Sequence, residues 1–454
     1  MIHALEAADD EGIAVRLVTP ESIRTLQKKL YCKAKQQPGY RFYALYDKVY
    51  RLDILEHAYE LARANDGAPG VDGVSFEQIE ARQGKAALVE QLAQSLQHKT
   101  YRAQAVRRVM IPKADGSERP LGIPTIRDRV VQTAVKIVIE PIFEAHFCEH
   151  SYGFRPQRDA HQAVDAVVQA LLRGQTQVID ADLSKYFDSI PHAKLLRALA
   201  QRIADGALLH LIKLWLKAPV VDKDGGSGAG KGSRRGTPQG GVISPLLANV
   251  YLHLLDRVWE RHAMQRRYGA TLVRYADDFV VLCGKDSEPA MRLIEQVLER
   301  LGLTLNTAKT KLVNAREQRF EFLGFAIGMR RSRRSGKNYA HVQPADKALK
   351  KIKARVTELT ARGNNPLPCE LLVQQLNRVL RGWVRYFHYR NCSTVLERLK
   401  WHVEERVRTH LRKRHRLPTR AAAFRRFGSR VLYGHYRLYK VPTTAGWTTA
   451  HASR

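Results

Sequence analysis

Asp277 and Asp278 lie side by side in LVRYADDFVVLCG, residues 272–284, a stretch otherwise dominated by strand-forming residues. Leu272, Val273 and Tyr275 precede the pair and Phe279, Val280, Val281 and Leu282 follow it, so β-branched, aliphatic and aromatic side chains flank a polar interruption. The pattern predicts a β-hairpin whose tight turn, Ala276-Asp277-Asp278, carries both carboxylates. Asp is also an ordinary turn former. Two like charges framed by buried strands nevertheless repel, and one pKa rises unless a cation neutralises them. Sites built from one or two carboxylates plus substrate phosphates suit Mg²⁺, the ion of phosphoryl-transfer enzymes.

Such a site needs another carboxylate from elsewhere, again on a strand with apolar neighbours. In TQVIDADLSKYFDSIPH, residues 176–192, Val178 and Ile179 run into Asp180 and Asp182. Alternation predicts that Asp180, Asp182 and Ser184 share one strand face. Taken singly, Asp180, Asp182 or Asp188 reads as a helix cap or a solvated charge.

These motifs together resemble a known family. Tyr275-Ala276-Asp277-Asp278 resembles the YxDD box of reverse transcriptases, and DLSKYFD from Asp182 resembles their first palm motif. RRGTPQGGVISPLLANVYLHLLD (234–256) is similar to the motif beside the templating base pair. The order also matches. YRAQAVRRVMIPKADGSERPLGIPTIRDRVVQ (101–132) and HSYGFRPQRDAHQAV (150–164) come before, and GLTLNTAKTKLV (302–313) and FEFLGF (320–325) come after. The chain is thereby identified as similar to group II intron reverse transcriptases, or maturases.

The resemblance implies an RNA-directed DNA polymerase of α+β, right-hand fold, with fingers, an antiparallel-sheet palm and an α-helical thumb. Asp182, Asp277 and Asp278 correspond to the catalytic carboxylates. Asp182 and Asp277 would bind two Mg²⁺ ions, for which Mn²⁺ substitutes, with Asp278 supporting the site. Lys113 and Arg119, on a basic hairpin, correspond to positions that grip the incoming triphosphate. Phe187 corresponds to the ring that blocks a ribose 2′-hydroxyl, and it also reads as a core aromatic. Gln239, followed by Gly240 and Gly241, corresponds to the position under the nascent base pair. Lys309 and Lys311 fall where the family is proposed to hold a proton donor to pyrophosphate. The pattern does not choose between them, and a charged strand end is the other reading. The implied partners are intron RNA, a primer–template duplex, target DNA and deoxynucleoside triphosphates, with no obligate protein partner.

Composition points the same way. The 454 residues are 44% apolar and carry a net charge of +32, enough for two or three cored domains with a polyanion-binding surface. The excess is uneven: residues 331–454 hold 29 Lys and Arg against 6 Asp and Glu. No apolar run approaches the roughly 18 residues of a membrane span, so no membrane partner is expected. The start, MIHALEAADDEG, lacks the basic and apolar regions of a signal peptide. Five cysteines without a CxxC pair fit a reducing cytoplasm, a bacterial cytosol or nucleoid.

Along the chain, residues 1–80 read as a helical extension and template-binding segment, with a Gly-rich turn in NDGAPGVDGVSFEQIE (65–80). Residues 81–326 read as fingers and palm, interrupted by an exposed Gly- and Ser-rich tip, DKDGGSGAGKGSRRG (222–236). RRSRRSGKN (330–338) reads as a basic hairpin or linker. Residues 327–416 then read as a helical thumb or maturase domain, with Leu372, Leu376, Leu380, Trp383 and Phe387 at helical spacing. Gly382-Trp383 with Tyr386-Phe387 resembles the GWxxYF stretch of the maturase thumb, although plain helix packing is the favoured role for these rings. Arg378, Arg381, Arg385 and Arg390, expected on the opposite face, are the candidate phosphate contacts. Residues 417–454, basic and aromatic, read as a DNA-binding-like segment. The family's HNH nuclease, with paired CxxC motifs, is not matched, so second-strand cleavage is not expected. Three other readings share parts of the pattern. A domesticated reverse transcriptase of defence or repair would share every catalytic motif, and a splicing factor that only binds RNA would not need the carboxylates. An RNA-templated RNA polymerase would share the palm, but Phe187 argues for deoxynucleotides.

Overall fold

The computed structural model describes residues 17–112, 118–222, 227–228, 234–364 and 366–447. The chain is a mixed α/β protein of helices and small sheets, divided into two compact units. One comprises residues 17–170 and 177–312, the other residues 171–176 and 313 onward. Lys113 and most of the 222–236 tip lie outside the described residues.

The first unit is built around the helix Ile126–Glu144, which buries residues on nearly every side, among them Val130, Val131, Ala134, Val135, Val138 and Ile142. Such an all-round apolar helix must be enclosed by others. Glu21–Gln36 and Leu52–Ala64 pack against it. Local caps set several starts. Thr125 accepts from the Asp128 amide, Asp205 from the Leu208 amide, and Ser75 and Gln78 form a capping box. The expected basic hairpin is present, with Val106–Pro112 and Glu118–Ile123 antiparallel from Arg107↔Ile123 to Pro112↔Glu118.

A second sheet in this unit carries the acidic motifs. Thr271–Tyr275 pairs with Asp278–Cys283, which pairs in turn with Gln177–Ala181, both antiparallel. Phe279, Val280, Val281, Leu282 and Cys283 are completely buried, with Val178 and Ile179 beside them. That near-continuous burial explains why the strand reads as an apolar run rather than an alternating one.

The second unit combines the antiparallel strands Phe320–Phe322, Phe325–Arg331 and Asn338–Pro344 with the helices Asp346–Leu359, Cys369–Phe387, Ser393–Arg414 and Arg420–Arg426. The basic run 330–338 is the tip of a hairpin whose pairing continues to Arg331↔Asn338. The 326/327 boundary suggested by sequence falls inside the Phe325–Arg331 strand, because Arg330 and Arg331 end that strand rather than open a linker. Helical spacing from Leu372 to Phe387 becomes the buried stripe of Cys369–Phe387. Its rings pack together: Trp383 and Phe387 have centroids 4.5 Å apart, and Phe325 meets Tyr386, Phe387 and Tyr389. Among the described residues, no helix is long and apolar enough to cross a membrane.

Candidate active site

Tyr275 pairs with Asp278 across the hairpin, so the turn consists of Ala276 and Asp277. This corrects the three-residue turn expected from sequence: Asp278 is already the first residue of the returning strand. Ala276 takes the left-handed conformation, with φ 59°. A non-glycine residue there needs support from its surroundings, and the support is visible. Nη1 of Arg274 donates to the Ala276 carbonyl at 3.0 Å and to Asn249 Oδ1 at 3.1 Å. Asn249 donates to the Gly153 carbonyl at 2.6 Å. A Cβ on Gly153 would stand 2.4 Å from the Ala276 nitrogen, so only glycine allows this loop so close beneath the turn. Tyr152 N–H donates to the Arg274 carbonyl, and Arg274 N–H to the His150 carbonyl, both at 2.8 Å.

The anchor of this support is a fully buried ion pair. Arg274 Nε donates to Asp256 Oδ1 at 2.9 Å, and both side chains are wholly enclosed. Burial alone would push the Asp256 pKa up, but the Arg274 charge and its hydrogen bonds, with the His150 and His253 rings close by, hold it well below the carboxylate range. Arg274, Asp256, Asn249 and Gly153 were not singled out in the sequence. Their available signal was a single Arg inside an apolar strand, and an Asn and an Asp seven residues apart on one helix.

Strand pairing brings the acids together. Asp180 pairs with Val280 and Ala181 with Phe279, and one step further the same register sets Asp182 opposite Asp278. The strand itself stops at Ala181, so Asp182 and Ser184 lie beyond it rather than on a regular strand face. Burial, followed by repulsion from Asp180, Asp277 and Asp182, raises the Asp278 pKa to about 7. Burial also raises Asp277, and Asp182 adds to the rise, while its backbone hydrogen bond, Arg119 and Arg274 oppose it. Asp182 accepts from Asn306 Nδ2 at 3.0 Å and has Lys309 Nζ 3.7 Å away. Among the described residues, no three His, Cys, Asp or Glu side chains stand ready-clustered as a metal cage. The donor set still fits a hard divalent cation: the adjoining groups are carboxylates, and Asp277 and Asp278 are raised first by burial and then by neighbouring carboxylates, both of which such an ion would offset.

The raised Asp278 pKa has a measurable consequence. A carboxylate whose folded pKa is raised favours the folded state below its unfolded value near 3.9, and that contribution is lost as pH climbs toward its folded value. For Asp278 the loss falls between about pH 4 and the folded pKa of about 7. In chelator, Asp278→Asn is therefore expected to be more stable than the parent at neutral pH, by about 1–3 kcal/mol, with the gap closing toward about pH 4. Thermal unfolding of both proteins across this range measures it; parallel curves would remove the charge strain from the account.

The other candidates divide between the two units. Arg119 Nε donates to Gln239 Oε1 at 2.8 Å, and Gln239 Nε2 to Asp188 Oδ2 at 3.4 Å. The Gln239 carbonyl accepts from Gly122 N–H at 2.5 Å. A Cβ on Gly240, whose φ is 115°, would lie 2.3 Å from the Gly122 carbonyl oxygen, so the glycine permits this crossing. Phe187 is buried, meets Tyr186 edge-on at 5.5 Å, and accepts from Thr237 N–H through its carbonyl. In the second unit Arg378, Arg381 and Arg385 are exposed on Cys369–Phe387. Arg390 is not on that helix face: it follows the helix in a left-handed conformation, donates to Tyr389 Oη at 3.1 Å, and pairs through its backbone with Gly446. The basic, aromatic tail folds back here, with Asn377 bridging to Arg437 and Tyr439 and the Arg381 guanidinium 5.9 Å from the Tyr439 ring centre.

Comparison with known proteins adds independent findings. The profile described as "Reverse transcriptase (RNA-dependent DNA polymerase)" matches residues 111–327, and that described as "Group II intron, maturase-specific domain" matches residues 349–428. Protein YkfC of Escherichia coli is 35% identical over 364 residues, covering 72% of this chain and 93% of that protein. The Group II intron-encoded protein LtrA of Lactococcus lactis is 31% identical over 368 residues, covering 65% of this chain and 59% of LtrA. An uncharacterized 91 kDa protein in the cob intron of Schizosaccharomyces pombe is 26% identical over 454 residues, with 83% of this chain and 54% of that protein covered. The chain thus spans little more than half of these last two relatives.

Proposed function

Because the chain belongs to the family of group II intron reverse transcriptases and maturases, we propose that it copies RNA into DNA at the Asp182, Asp277 and Asp278 site and assists intron splicing through its basic second unit. The observation that carries the catalytic half is the approach of Asp182 to Asp277 and Asp278 at the end of the paired strands Gln177–Ala181 and Asp278–Cys283, with the Asp278 pKa pushed to about 7. Bound to these carboxylates, two Mg²⁺ ions, or Mn²⁺ in their place, would activate the primer 3′-hydroxyl and neutralise the leaving pyrophosphate. The protein's own work is positioning. Arg274 fixes the turn that presents Asp277, and Asn306 orients Asp182. Arg119, with Lys113, meets the triphosphate of an incoming deoxynucleotide. Gln239 orients Arg119 and lies under the nascent pair, and Phe187 excludes the 2′-hydroxyl.

In this reading residues 81–326 are fingers and palm, 327–416 the thumb, 1–80 the template-binding extension and 417–454 the DNA-contacting segment. Intron RNA, a primer–template duplex and target DNA are the partners. Intron mobility then proceeds by target-primed copying in a cytosolic, nucleoid-associated setting. The direct test is extension of oligo(dT) on poly(rA) with deoxythymidine triphosphate and Mg²⁺, beside splicing of the precursor transcript spanning the gene's own flanks at low Mg²⁺. Absence of extension by folded protein would refute the polymerase reading.

Phe187→Ala examines sugar choice. It should raise ribonucleotide incorporation relative to deoxynucleotide by about 10-fold or more. It should also slow overall extension, because a core ring is lost. Single-nucleotide extension with each sugar measures the ratio; an unchanged ratio would leave Phe187 a packing residue only.

A further inference from the structure

The helix Ser393–Arg414 carries Trp401, Glu405, Arg408 and Arg412 at intervals of four, three and four residues, one continuous face. Between that face and the Arg420–Arg426 helix lies a groove of about 340 Å³, lined by Trp401, Glu405, Arg408, Arg412, Arg420 and Phe424. Trp401 is 65% exposed and Phe424 60% exposed. Rings that open to solvent contribute little to the core, so burial does not explain them.

The groove is prepared rather than loose. Arg408 is buried, donates to the Phe427 carbonyl at 3.1 Å and to Glu404 Oε2 at 2.8 Å, and its guanidinium carbon stands 4.5 Å from the Phe424 ring centre. One face of Phe424 is thereby held by a fixed cation while the ring remains largely open. Thr419 accepts from the Ala422 amide and fixes the start of the short helix. Arg420 is paired with Glu405 at the groove's edge. Arg412 forms no ion pair among the described residues, and Arg425 and Arg426 follow on the short helix. Open aromatic faces beside cations match a ligand that presents a flat π-surface and an anion together. An acidic peptide would use the arginines and leave the rings idle.

We propose that this groove seats an unpaired nucleotide of a single-stranded nucleic acid, its base stacked on Trp401 and Phe424 and its phosphates at Arg412 and Arg420. The inference rests on the nucleic-acid reading of the second unit and adds a discrimination within it: the groove selects unpaired over paired strands.

The test uses the whole protein and fluorescence anisotropy with short labelled oligoadenylates, one of RNA and one of DNA, beside a blunt RNA duplex of the same length. A Trp401→Ala, Phe424→Ala double variant should lose about 10- to 100-fold in single-strand affinity, since stacking is the contact removed. Its duplex affinity should stay within about twofold, and its salt slope should not change, because no phosphate contact is lost. Trp401→Phe should keep most of the affinity. Arg412→Gln should instead flatten the slope of log affinity against log salt by up to about one unit. A loss confined to the RNA or to the DNA oligomer names the strand that uses the groove. Unchanged single-strand binding in the double variant overturns the proposal, as does an equal loss for duplex and single strand. Primer extension by the same parent preparation keeps the two readings apart: a parent that cannot extend while the ring variants still lose oligoadenylate would sink the polymerase reading and leave the groove standing.

Discussion

Asp277→Asn is expected to reduce primer extension about 100- to 1,000-fold, the scale of several kcal/mol of lost metal-borne charge stabilisation, while leaving the protein folded. The amide has nearly the shape of the carboxylate but no charge to give a cation. Burial and Asp182 raise the Asp277 pKa, so in the absence of a cation its charge works against folding, and Asn removes that penalty. The variant should therefore melt no lower than the parent in chelator. Loss of extension with undiminished stability separates a chemical role from a structural one. The measurement pairs extension rates on poly(rA)·oligo(dT) with melting curves of the same preparations. An Asp277→Asn protein that extends primers at the parent rate would remove the carboxylate from the chemistry.

The same tension explains what the sequence revealed. Acids set between Val273 and Phe279 are costly to a fold, so Asp277 and Asp278 stood out against their strands, and the hairpin around them followed from composition alone. The stripe from Leu372 to Phe387 was equally legible, since a period of 3.6 is a local property. Details that depend on a partner far along the chain were not. Asp278 belongs to a strand rather than to the turn because Tyr275 pairs with it. Arg390 leaves its helix because Gly446, more than fifty residues away, captures its backbone. Charge runs mislead in a related way: RRSRRSGKN resembled a hairpin and a linker equally, and the strand pairing from Phe325↔Pro344 to Arg331↔Asn338 decides for the hairpin. Arg274 is the clearest case. A lone Arg in a strand reads as a solvent-facing residue until a helix supplies Asp256, and the partner, not the pattern, makes it a buried support of the turn.

Arg274 therefore carries the largest expected effect on stability. Changing it to Met fills similar volume but strands Asp256 in the interior, with His150 Nε2 3.4 Å and His253 Nδ1 3.8 Å away. Breaking a buried pair from one side costs about 3–5 kcal/mol, a large share of the stability of an ordinary domain. Replacing both partners, Arg274→Met with Asp256→Leu, removes the stranded charge, and such apolar exchanges are often neutral or stabilising. Stability should then return in large part. Extension should not, because the Ala276 carbonyl and Asn249 Oδ1 still lack the guanidinium donor that holds the left-handed turn. A remaining deficit of about 10- to 100-fold, the cost of losing a group that orients a metal ligand, is expected, with more Mg²⁺ needed for half-maximal extension. Denaturant unfolding and Mg²⁺ titration of extension in the parent, single and double variants read the two effects apart. A single variant as stable as the parent would contradict the buried pair's role. A double variant that regains both stability and full extension would reduce Arg274 to a filler of space beneath the turn.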